Sequence, residues 1–198
     1  MAILRCPSCH RDFEQGFLKC PYDGAALVDA ASAESHDPFL GKQLADTYQI
    51  VRRLGAGGMG SVYEARHVRL ESTFAIKFLR PELSISEEML ARFHREARVA
   101  GALKHPNIIT VFDVNRTPEN LHYIVQEYLD GRPLSALLEE EGTLDIVRGV
   151  DIASQVCNAL SAAHAKEIVH RDIKPENIFL IEKDGQKDFV KVLDFGIA

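Results

Sequence analysis

The sequence contains no tryptophan and only four cysteines among its 198 residues. Three of these cysteines lie between Cys6 and Cys20, and closely spaced thiols serve metals in reducing compartments more often than they form disulfide scaffolds. No apolar run approaches the roughly 20 residues of a membrane span, and the N-terminus lacks the apolar core of a signal peptide. These absences predict a cytoplasmic chain without a membrane segment, and they leave open an anchor after residue 198.

Positive charge is also scarce, because 23 Lys and Arg against 29 Asp and Glu give a formal net charge of −6. A nucleic-acid binder needs a basic face that displaces counterions, so this balance argues against a nucleic-acid partner. A small anionic ligand remains compatible, since a few well-placed cations hold it. With 46% hydrophobic and 26% charged residues, the composition is that of an ordinary globular protein.

The chain divides into three parts by texture. Residues 1–28 are turn-rich, carry cysteines and are too few to build a hydrophobic core. Residues 29–42 are small and polar with little periodicity, which predicts a linker. From residue 43 onward, apolar periodicity predicts a folded domain.

Within this domain a strand-rich half precedes a helix-rich half. Alternation and apolar runs predict strands, and apolar residues at intervals of three and four predict helices. The predicted strands cover 48–54, 61–66, 73–79, 108–114, 122–127, 178–181 and 189–193. The predicted helices cover 87–103 and 134–140 and lie within 145–166. Lys183-Asp184-Gly185-Gln186 predicts a hairpin turn between the last two strands.

A glycine-rich turn joins the first two strands of the domain. Gly55, Gly57 and Gly60 allow backbone N–H groups to approach phosphate oxygens, because no Cβ stands in the way. The same spacing occurs in dinucleotide-binding folds, where it opens a helix, but Ser61-Val62-Tyr63 favours a strand here. Taken alone, the motif is equally compatible with a merely flexible turn.

A lysine lies within an apolar strand shortly after this turn. Lys77 follows Phe74, Ala75 and Ile76, and a buried ammonium group needs a partner that offsets its desolvation. Glu96, on the predicted helix 87–103, can supply one. The alternative is that both are solvated surface charges, but their order after the glycine-rich turn favours an ion pair.

Two further motifs follow the second long helix. His170-Arg171-Asp172 is followed by Asn177, and Asp194-Phe195-Gly196 comes after one hairpin. With the glycine-rich turn, Lys77 and Glu96, these motifs make the chain resemble the eukaryotic-type (Hanks-type) Ser/Thr protein kinases, and especially their bacterial branch. The resemblance covers about residues 43–198.

The resemblance implies an α+β, protein-kinase-like fold of two lobes. An antiparallel sheet with one helix would form the N-lobe (about 43–129), and residues 130–198 would form part of a helical C-lobe. A small zinc-ribbon-like module (1–28) would precede them. The chain ends four residues after Asp194, so we expect a truncated kinase domain that is inactive by itself.

The resemblance also implies the roles of the site residues. Asp172 would accept the proton of the attacking hydroxyl, and Lys77, oriented by Glu96, would hold the phosphates of ATP. Asn177 and Asp194 would bind Mg²⁺ through oxygen atoms. Lys174 would neutralise the transferring phosphate and favours Ser and Thr of protein substrates over Tyr as acceptors. The remaining ATP-binding residues would be Leu54, Gly55, Gly57, Gly60, Val62 and Ala75 above the nucleotide, Phe179 below it, and Glu127 and Leu129 in the hinge.

Two other functions remain open at this stage. A degraded relative would bind nucleotide without transferring phosphate, as a pseudokinase does, although each expected catalytic residue is present. Alternatively, the cysteine module would make the protein a zinc-dependent interaction scaffold with an incidental kinase half.

The cysteine module contains two similar half-sites. Cys6-Pro7-Ser8-Cys9 and Cys20-Pro21-Tyr22-Asp23 would give a tetrahedral zinc site with Cys6, Cys9, Cys20 and Asp23 as ligands. His10 is the alternative fourth ligand, and unligated thiols are the alternative to a metal site. Cys157 lies on a predicted core helix, where we expect it to be buried. We expect His170 to support the loop around Asp172.

Overall fold

The computed structural model describes residues 4–6, 12–13, 16–21, 24–29, 37–57 and 59–195. The strands are β1 (Leu4–Arg5), β2 (Asp12–Phe13), β3 (Val28–Asp29), β4 (Gln43–Leu44), β5 (Tyr48–Ala56), β6 (Gly60–His67), β7 (Thr73–Leu79), β8 (Val111–Arg116), β9 (His122–Glu127), β10 (Gly131–Pro133), β11 (Ile178–Lys183) and β12 (Gln186–Val192). The helices are α1 (Glu87–Ala102), α2 (Leu134–Glu141) and α3 (Ile146–His164), with a 3-10 turn at Pro175–Asn177.

The N-lobe is an antiparallel sheet in the order β4-β5-β6-β7-β9-β8. Helix α1 begins after Ser86, whose side chain accepts a hydrogen bond from the Met89 amide and caps the helix. The helix packs on the inner face of the sheet, where Phe93 and Ala97 contact Leu79 and Ile124. This packing places α1 beside β7 and therefore Glu96 beside Lys77.

The outer face of the same sheet carries a second apolar cluster. It contains Leu44, Ile50, Tyr63, Ala65, Ile76, Phe78, Tyr123 and Val125. Phe39 and Leu40 pack against this cluster. Residues 37–42, which the sequence assigned to a linker, therefore contact the sheet.

The second lobe combines a small sheet, in the order β10-β11-β12, with α2 and α3. Helix α3 begins after Asp145, whose carboxylate accepts hydrogen bonds from the amides of Val147 and Arg148. The buried Asn107 connects the elements, because its amide donates to Gln155 Oε1 at 3.1 Å and to the carbonyl of Val190 at 2.9 Å. No helix among the described ranges combines the length and apolar character needed to cross a bilayer.

Most predicted elements of the domain are confirmed, and the differences have physical causes. The predicted strand 108–114 begins only at Val111, because Ile108 and Ile109 instead pair with Val192 of β12 and join the lobes. The hairpin turn is confirmed, with positive φ at Asp184 (52°) and Gly185 (78°). Cys157, expected to be buried, is exposed, since α3 turns Val156 rather than its neighbour toward the core.

The N-terminal residues that the structure describes form a small sheet in the order β2-β1-β3. Cys6 and Cys20 are buried there, at 0% and 2% exposure. The other predicted zinc ligands, Cys9 and Asp23 or His10, lie outside the described residues. Among the described residues, no group of three or more His, Cys, Asp and Glu side chains is placed to hold a metal.

Candidate active site

The glycine-rich turn connects β5 to β6 in the N-lobe. The Gly57 amide donates to the carbonyl of Gly60 at 2.8 Å and closes the turn. A Cβ at Gly60 would lie 1.7 Å from the carbonyl oxygen of Phe78, so only glycine fits where β6 passes β7. Gly55 and Gly57 have open space around their α-carbons, which leaves this part of the turn open to a ligand.

Lys77 and Glu96 form the buried ion pair that the sequence predicts, and Asp194 is a further partner of the same lysine. Its Nζ donates to Glu96 Oε1 at 2.7 Å and to Asp194 Oδ1 at 2.8 Å. Lys77 and Glu96 are buried, whereas the side chain of Asp194 is 48% exposed. The fold therefore joins a strand, a helix and the segment after β12 at one ammonium group.

Burial and charge compete in setting the pKa values of these groups. Burial lowers the pKa of Lys77, but the carboxylates of Asp194 and Glu96 outweigh it, so the pKa is raised. Burial raises the pKa of Glu96, with Lys77 opposing it. Partial burial also opposes ionisation of Asp194, but Lys77 and a hydrogen bond with Glu96 outweigh it, so the pKa is lowered. Asp194 is therefore the more readily ionised carboxylate, as a ligand for a hard cation must be.

The loop around Asp172 is held by His170, as the sequence predicts. His170 is buried, one ring nitrogen contacts the carbonyl of Leu193 at 2.8 Å, and the other accepts from the Asp172 amide at 3.3 Å. The ring of Phe195 lies against it, with 4.6 Å between centroids. Burial lowers the pKa of His170. These contacts tie the loop to the segment that carries Asp194.

Asp172, Lys174 and Asn177 form a second polar cluster. Lys174 Nζ donates to Asp172 Oδ2 at 2.8 Å. Asn177 Nδ2 donates to the Asp172 carbonyl at 2.8 Å and to Oδ2 at 3.1 Å. The hydrogen bond from Lys174 lowers the pKa of Asp172, so this exposed carboxylate is ionised at neutral pH. The hydrogen bond with Asp172 raises the pKa of Lys174, and the charge of Asp194 adds to this shift.

The other predicted nucleotide contacts lie in β5, β6, β7 and β11 and around the end of β9. In the sheet, Val62 is the register partner of Lys77, and Ala75 is the partner of Gln126, next to Glu127. Ala75 is buried, Leu54 is exposed, and Leu129 and Phe179 are half-buried. Asn177 and Asp194 are the residues that would hold Mg²⁺, and their amide and carboxylate oxygens are ligands that this ion accepts.

One buried ion pair of this region was not predicted. Lys191 Nζ donates to Glu127 Oε1 at 2.7 Å, and the amide of Thr110 donates to the same oxygen at 2.7 Å. The contact joins the hinge to the strand that leads to Asp194. The signal was present in the sequence, because Lys191 stands between Val190 and Val192 as Lys77 stands within its own apolar strand.

A glycine-rich hairpin, a buried lysine held by two carboxylates, and a carboxylate–lysine–asparagine cluster are the features that phosphoryl-transfer sites combine. Residues 48–198 match the family model described as protein kinase domain. The chain belongs to this protein kinase family.

Several named proteins are similar to this chain. The Myxococcus xanthus serine/threonine-protein kinase Pkn1 is 47% identical over 169 residues, which cover 85% of this chain and 24% of that protein. The Bacillus subtilis serine/threonine-protein kinase PrkC is 42% identical over 159 residues, covering 80% of this chain and 22% of that protein. The chain therefore spans about a quarter of the length of these curated relatives.

Solved structures agree with the family assignment. The kinase domain of Mycobacterium tuberculosis PknI superposes with a TM-score of 0.67 at 32% identity, covering 80% of this chain and 61% of that chain. Rad53, in a structure with AMP-PNP, gives a TM-score of 0.69 at 28% identity, covering 77% of this chain and 40% of that chain. These likenesses confirm the kinase-like fold with an antiparallel N-lobe sheet.

Proposed function

We propose that the protein transfers the γ-phosphoryl group of ATP to Ser and Thr hydroxyls of protein substrates. The observation that carries this proposal is the position of Lys77 Nζ, 2.7 Å from Glu96 and 2.8 Å from Asp194. Phosphoryl transfer depends mainly on positioning and charge stabilisation, and this cluster provides a fixed cation at the glycine-rich turn. The names of the similar kinases support the same reaction.

The residues of the cleft have separate roles in this proposal. Lys77, oriented by Glu96, binds the phosphates, and the backbone at Gly55, Gly57 and Gly60 lies over them. Leu54, Val62, Ala75, Phe179 and the hinge residues Glu127 and Leu129 hold the base. Asn177 and Asp194 would hold Mg²⁺, which, when bound, neutralises phosphate charge.

The residues of the second cluster would accept the proton of the attacking hydroxyl and neutralise the transferring phosphoryl group. Asp172 stays ionised because Lys174 and Asn177 hydrogen-bond its carboxylate, so it can accept the proton of an attacking hydroxyl. Lys174 lies within 2.8 Å of Asp172, where it can neutralise the transferring group. Its presence favours Ser and Thr as acceptors.

The proposal is tested with the full-length gene product, radiolabelled ATP, Mg²⁺ and a generic basic protein as acceptor. We expect label on Ser and Thr, and a loss of at least about 100-fold in Asp172→Asn and Lys77→Met. Asp184→Asn, in the exposed β11–β12 turn, is the matched control and should keep full activity. Unchanged transfer in Asp172→Asn or Lys77→Met would contradict these roles.

The same assay separates the proposal from a pseudokinase. A pseudokinase would bind ATP, in a magnesium-dependent way, without transferring phosphate. Ser and Thr labelling that is lost in Asp172→Asn, while nucleotide binding persists, would reject that alternative.

We also propose that residues 1–28 bind zinc through Cys6, Cys9, Cys20 and either Asp23 or His10. The burial of Cys6 and Cys20 in so small a sheet supports this, because a sheet of this size has little apolar core to hold it together. The amide of Gly24 donates to the Cys20 carbonyl at 2.9 Å, with Gly24 at φ 74°, and this makes a tight turn directly after a proposed ligand. Such a module would serve protein interaction or regulation.

Elemental analysis of protein purified without chelators tests the zinc site. We expect about one zinc per chain, and loss of zinc in only one of Asp23→Ala and His10→Ala identifies the fourth ligand. Protein free of zinc would contradict the proposal.

We also propose that this chain lies in the cytoplasm, because reduced thiols and ATP are both typical of that compartment. Cell fractionation checks this location.

A further inference from the structure

The outer face of the N-lobe sheet is covered by a segment that lies before the family match. We call residues 37–44 the docked segment. Phe39 stacks on Phe78 with 4.3 Å between ring centroids and meets Tyr63 edge-on at 5.4 Å. Leu40 packs on the same cluster, and Leu44 belongs to it. The segment is therefore part of the folded lobe.

Backbone hydrogen bonds hold the docked segment in register with β5. The amide of Gly41 donates to the carbonyl of Ile50 at 3.2 Å, and the amide of Ile50 donates to the carbonyl of Lys42 at 2.9 Å. Gln43 and Leu44 then pair with Gln49 and Tyr48. The segment is consequently fixed at both its aromatic and its strand-forming end.

Asp37 attaches the beginning of the docked segment to the glycine-rich hairpin. Its Oδ2 accepts a hydrogen bond from the hydroxyl of Tyr63 at 2.8 Å and lies 3.8 Å from a guanidinium nitrogen of Arg53. The side chains of Asp37 and Arg53 are only 7% and 13% exposed. A carboxylate in such an environment interacts with its cationic partner more strongly than in water.

Arg53 continues this connection to the phosphate-binding turn. Its Nη2 donates to the hydroxyl of Ser61 at 2.5 Å. Arg53 lies two residues before Gly55, and Ser61 directly follows Gly60, so this bond joins the two strands where they enter the turn. Neither residue is among those assigned to nucleotide contact.

We propose that the docked segment positions the glycine-rich turn for the triphosphate through the link Asp37–Arg53–Ser61. The inference rests on the proposed nucleotide site. A turn whose strands are already joined has less conformational freedom to lose when it closes over phosphates, and binding is tighter by that saving. Asp37 and Arg53 are positioning residues, since they act on the turn and not on the nucleotide.

The experiment measures the affinities of the full-length gene product for Mg-ATP and for adenosine, by displacement of a fluorescent nucleotide. Asp37→Asn keeps the size of the side chain and a hydrogen-bond acceptor but removes the charge that holds Arg53. We expect its affinity for Mg-ATP to fall about 3- to 10-fold. Its affinity for adenosine should stay within about twofold, because adenosine lacks the phosphates that the turn binds.

Asp46→Asn is the matched control, because Asp46 is an exposed carboxylate in the turn that follows the docked segment. It should bind both ligands as the unmodified chain does. Phe39→Leu, which weakens the aromatic stack, should resemble Asp37→Asn. Circular dichroism and urea unfolding of each variant separate lost positioning from lost folding.

The outcomes distinguish this inference from the proposed function. If the unmodified chain binds neither ligand, the proposed nucleotide site is wrong, and the inference fails with it. If it binds Mg-ATP and Asp37→Asn binds equally well, only the inference is wrong. An equal loss of Mg-ATP and adenosine affinity would also overturn it, since that result indicates general damage to the lobe.

Discussion

The two faces of the N-lobe sheet are formed by the same strands but differ in their side chains: one carries a charged cluster and the other an apolar one. On the inner face of β7, Lys77 meets Glu96 and Asp194. On the outer face, Ile76 and Phe78 lie in an aromatic and aliphatic cluster that Phe39 covers. Because successive side chains of a strand point to opposite faces, the residues of β7 alternate between the face that carries Lys77 and the face that carries the apolar cluster.

The energetic terms of the two faces also differ. Burial of apolar area stabilises the outer face directly. The inner face buries charges, whose desolvation largely cancels their mutual attraction, so its value lies in geometry more than in stability. Substitutions on the two faces should therefore separate unfolding free energy from catalysis.

The largest stability effect is expected on the outer face. Phe78→Ala removes a ring that is 2% exposed and should lower the free energy of unfolding by about 3–5 kcal/mol. Phe112→Ala, on the edge strand β8, is the matched control, because its ring is 56% exposed. Urea denaturation should give it a cost below about 1 kcal/mol. Equal costs would refute the assignment of the core to this face.

The next effect is expected on the inner face and in activity. Glu96→Gln removes one of the two carboxylates that bind Lys77 and leaves Asp194 as its anionic partner. Phosphoryl transfer by the full-length gene product should fall about 10- to 100-fold. Its free energy of unfolding should change less than that of Phe78→Ala. Glu88→Gln, exposed on the same helix, should leave transfer unchanged; a comparable loss there would contradict the role of Glu96.

A partly exposed ion pair far from both faces gives a pH-dependent reference. Arg148 Nε and Nη2 hydrogen-bond the two oxygens of Asp188 at 2.7 and 2.9 Å and lower the pKa of Asp188 below its usual 3.8. A carboxylate with a lowered folded-state pKa stabilises the fold above its unfolded pKa, and this stabilisation is lost as pH falls through the folded value.

Urea denaturation between pH 5 and pH 3 measures this contribution. The unmodified chain should lose about 1 kcal/mol through Asp188 as the pH falls below about 4. Arg148→Gln should lack most of this part of the pH dependence, because it removes the hydrogen bonds that contribute most to lowering the pKa of Asp188. Parallel pH profiles for the two proteins would show that the pair contributes nothing.

A similarly small effect is expected at the start of α1. Ser86 Oγ accepts from the Met89 amide at 3.3 Å, and Ser86→Ala should cost about 1 kcal/mol of unfolding free energy. Ser86→Asp, which restores an acceptor, should recover this loss. If Ser86→Ala impaired phosphoryl transfer as much as Glu96→Gln does, the stability of helix α1, and not the charge of Glu96, would determine the activity.

Much of the site could be predicted because motif and partner are local or strongly typed. Lys77 in an apolar strand requires a counter-charge, and Glu96 on an amphipathic helix supplies it. The loop around Asp172 and the Asp184-Gly185 turn can be recognised from the sequence, because few other local structures need the same residue types in the same order. The same reasoning, applied to Lys191, predicts a counter-charge, and the structure identifies it as Glu127.

The docked segment was beyond this reasoning. Asp37 and Phe39 lie in a stretch without periodicity, and their partners Tyr63 and Phe78 belong to two strands whose outer faces only the folded sheet brings together. Cys157 was placed wrongly because a helix divides adjacent residues between core and surface, and Val156 takes the core position. The zinc ligand set stays a prediction, since Cys9 and Asp23 lie outside the described residues.

The packing of Phe39 has a practical consequence for the boundaries of recombinant fragments. The family match begins at Tyr48, but contacts with the sheet extend back at least to Asp37, eleven positions earlier in the numbering. A fragment cut at the family boundary would leave the rings of Tyr63 and Phe78 facing water, and such a patch promotes self-association. The extent of the family match and the extent of the packed structure therefore call for different limits of a recombinant fragment.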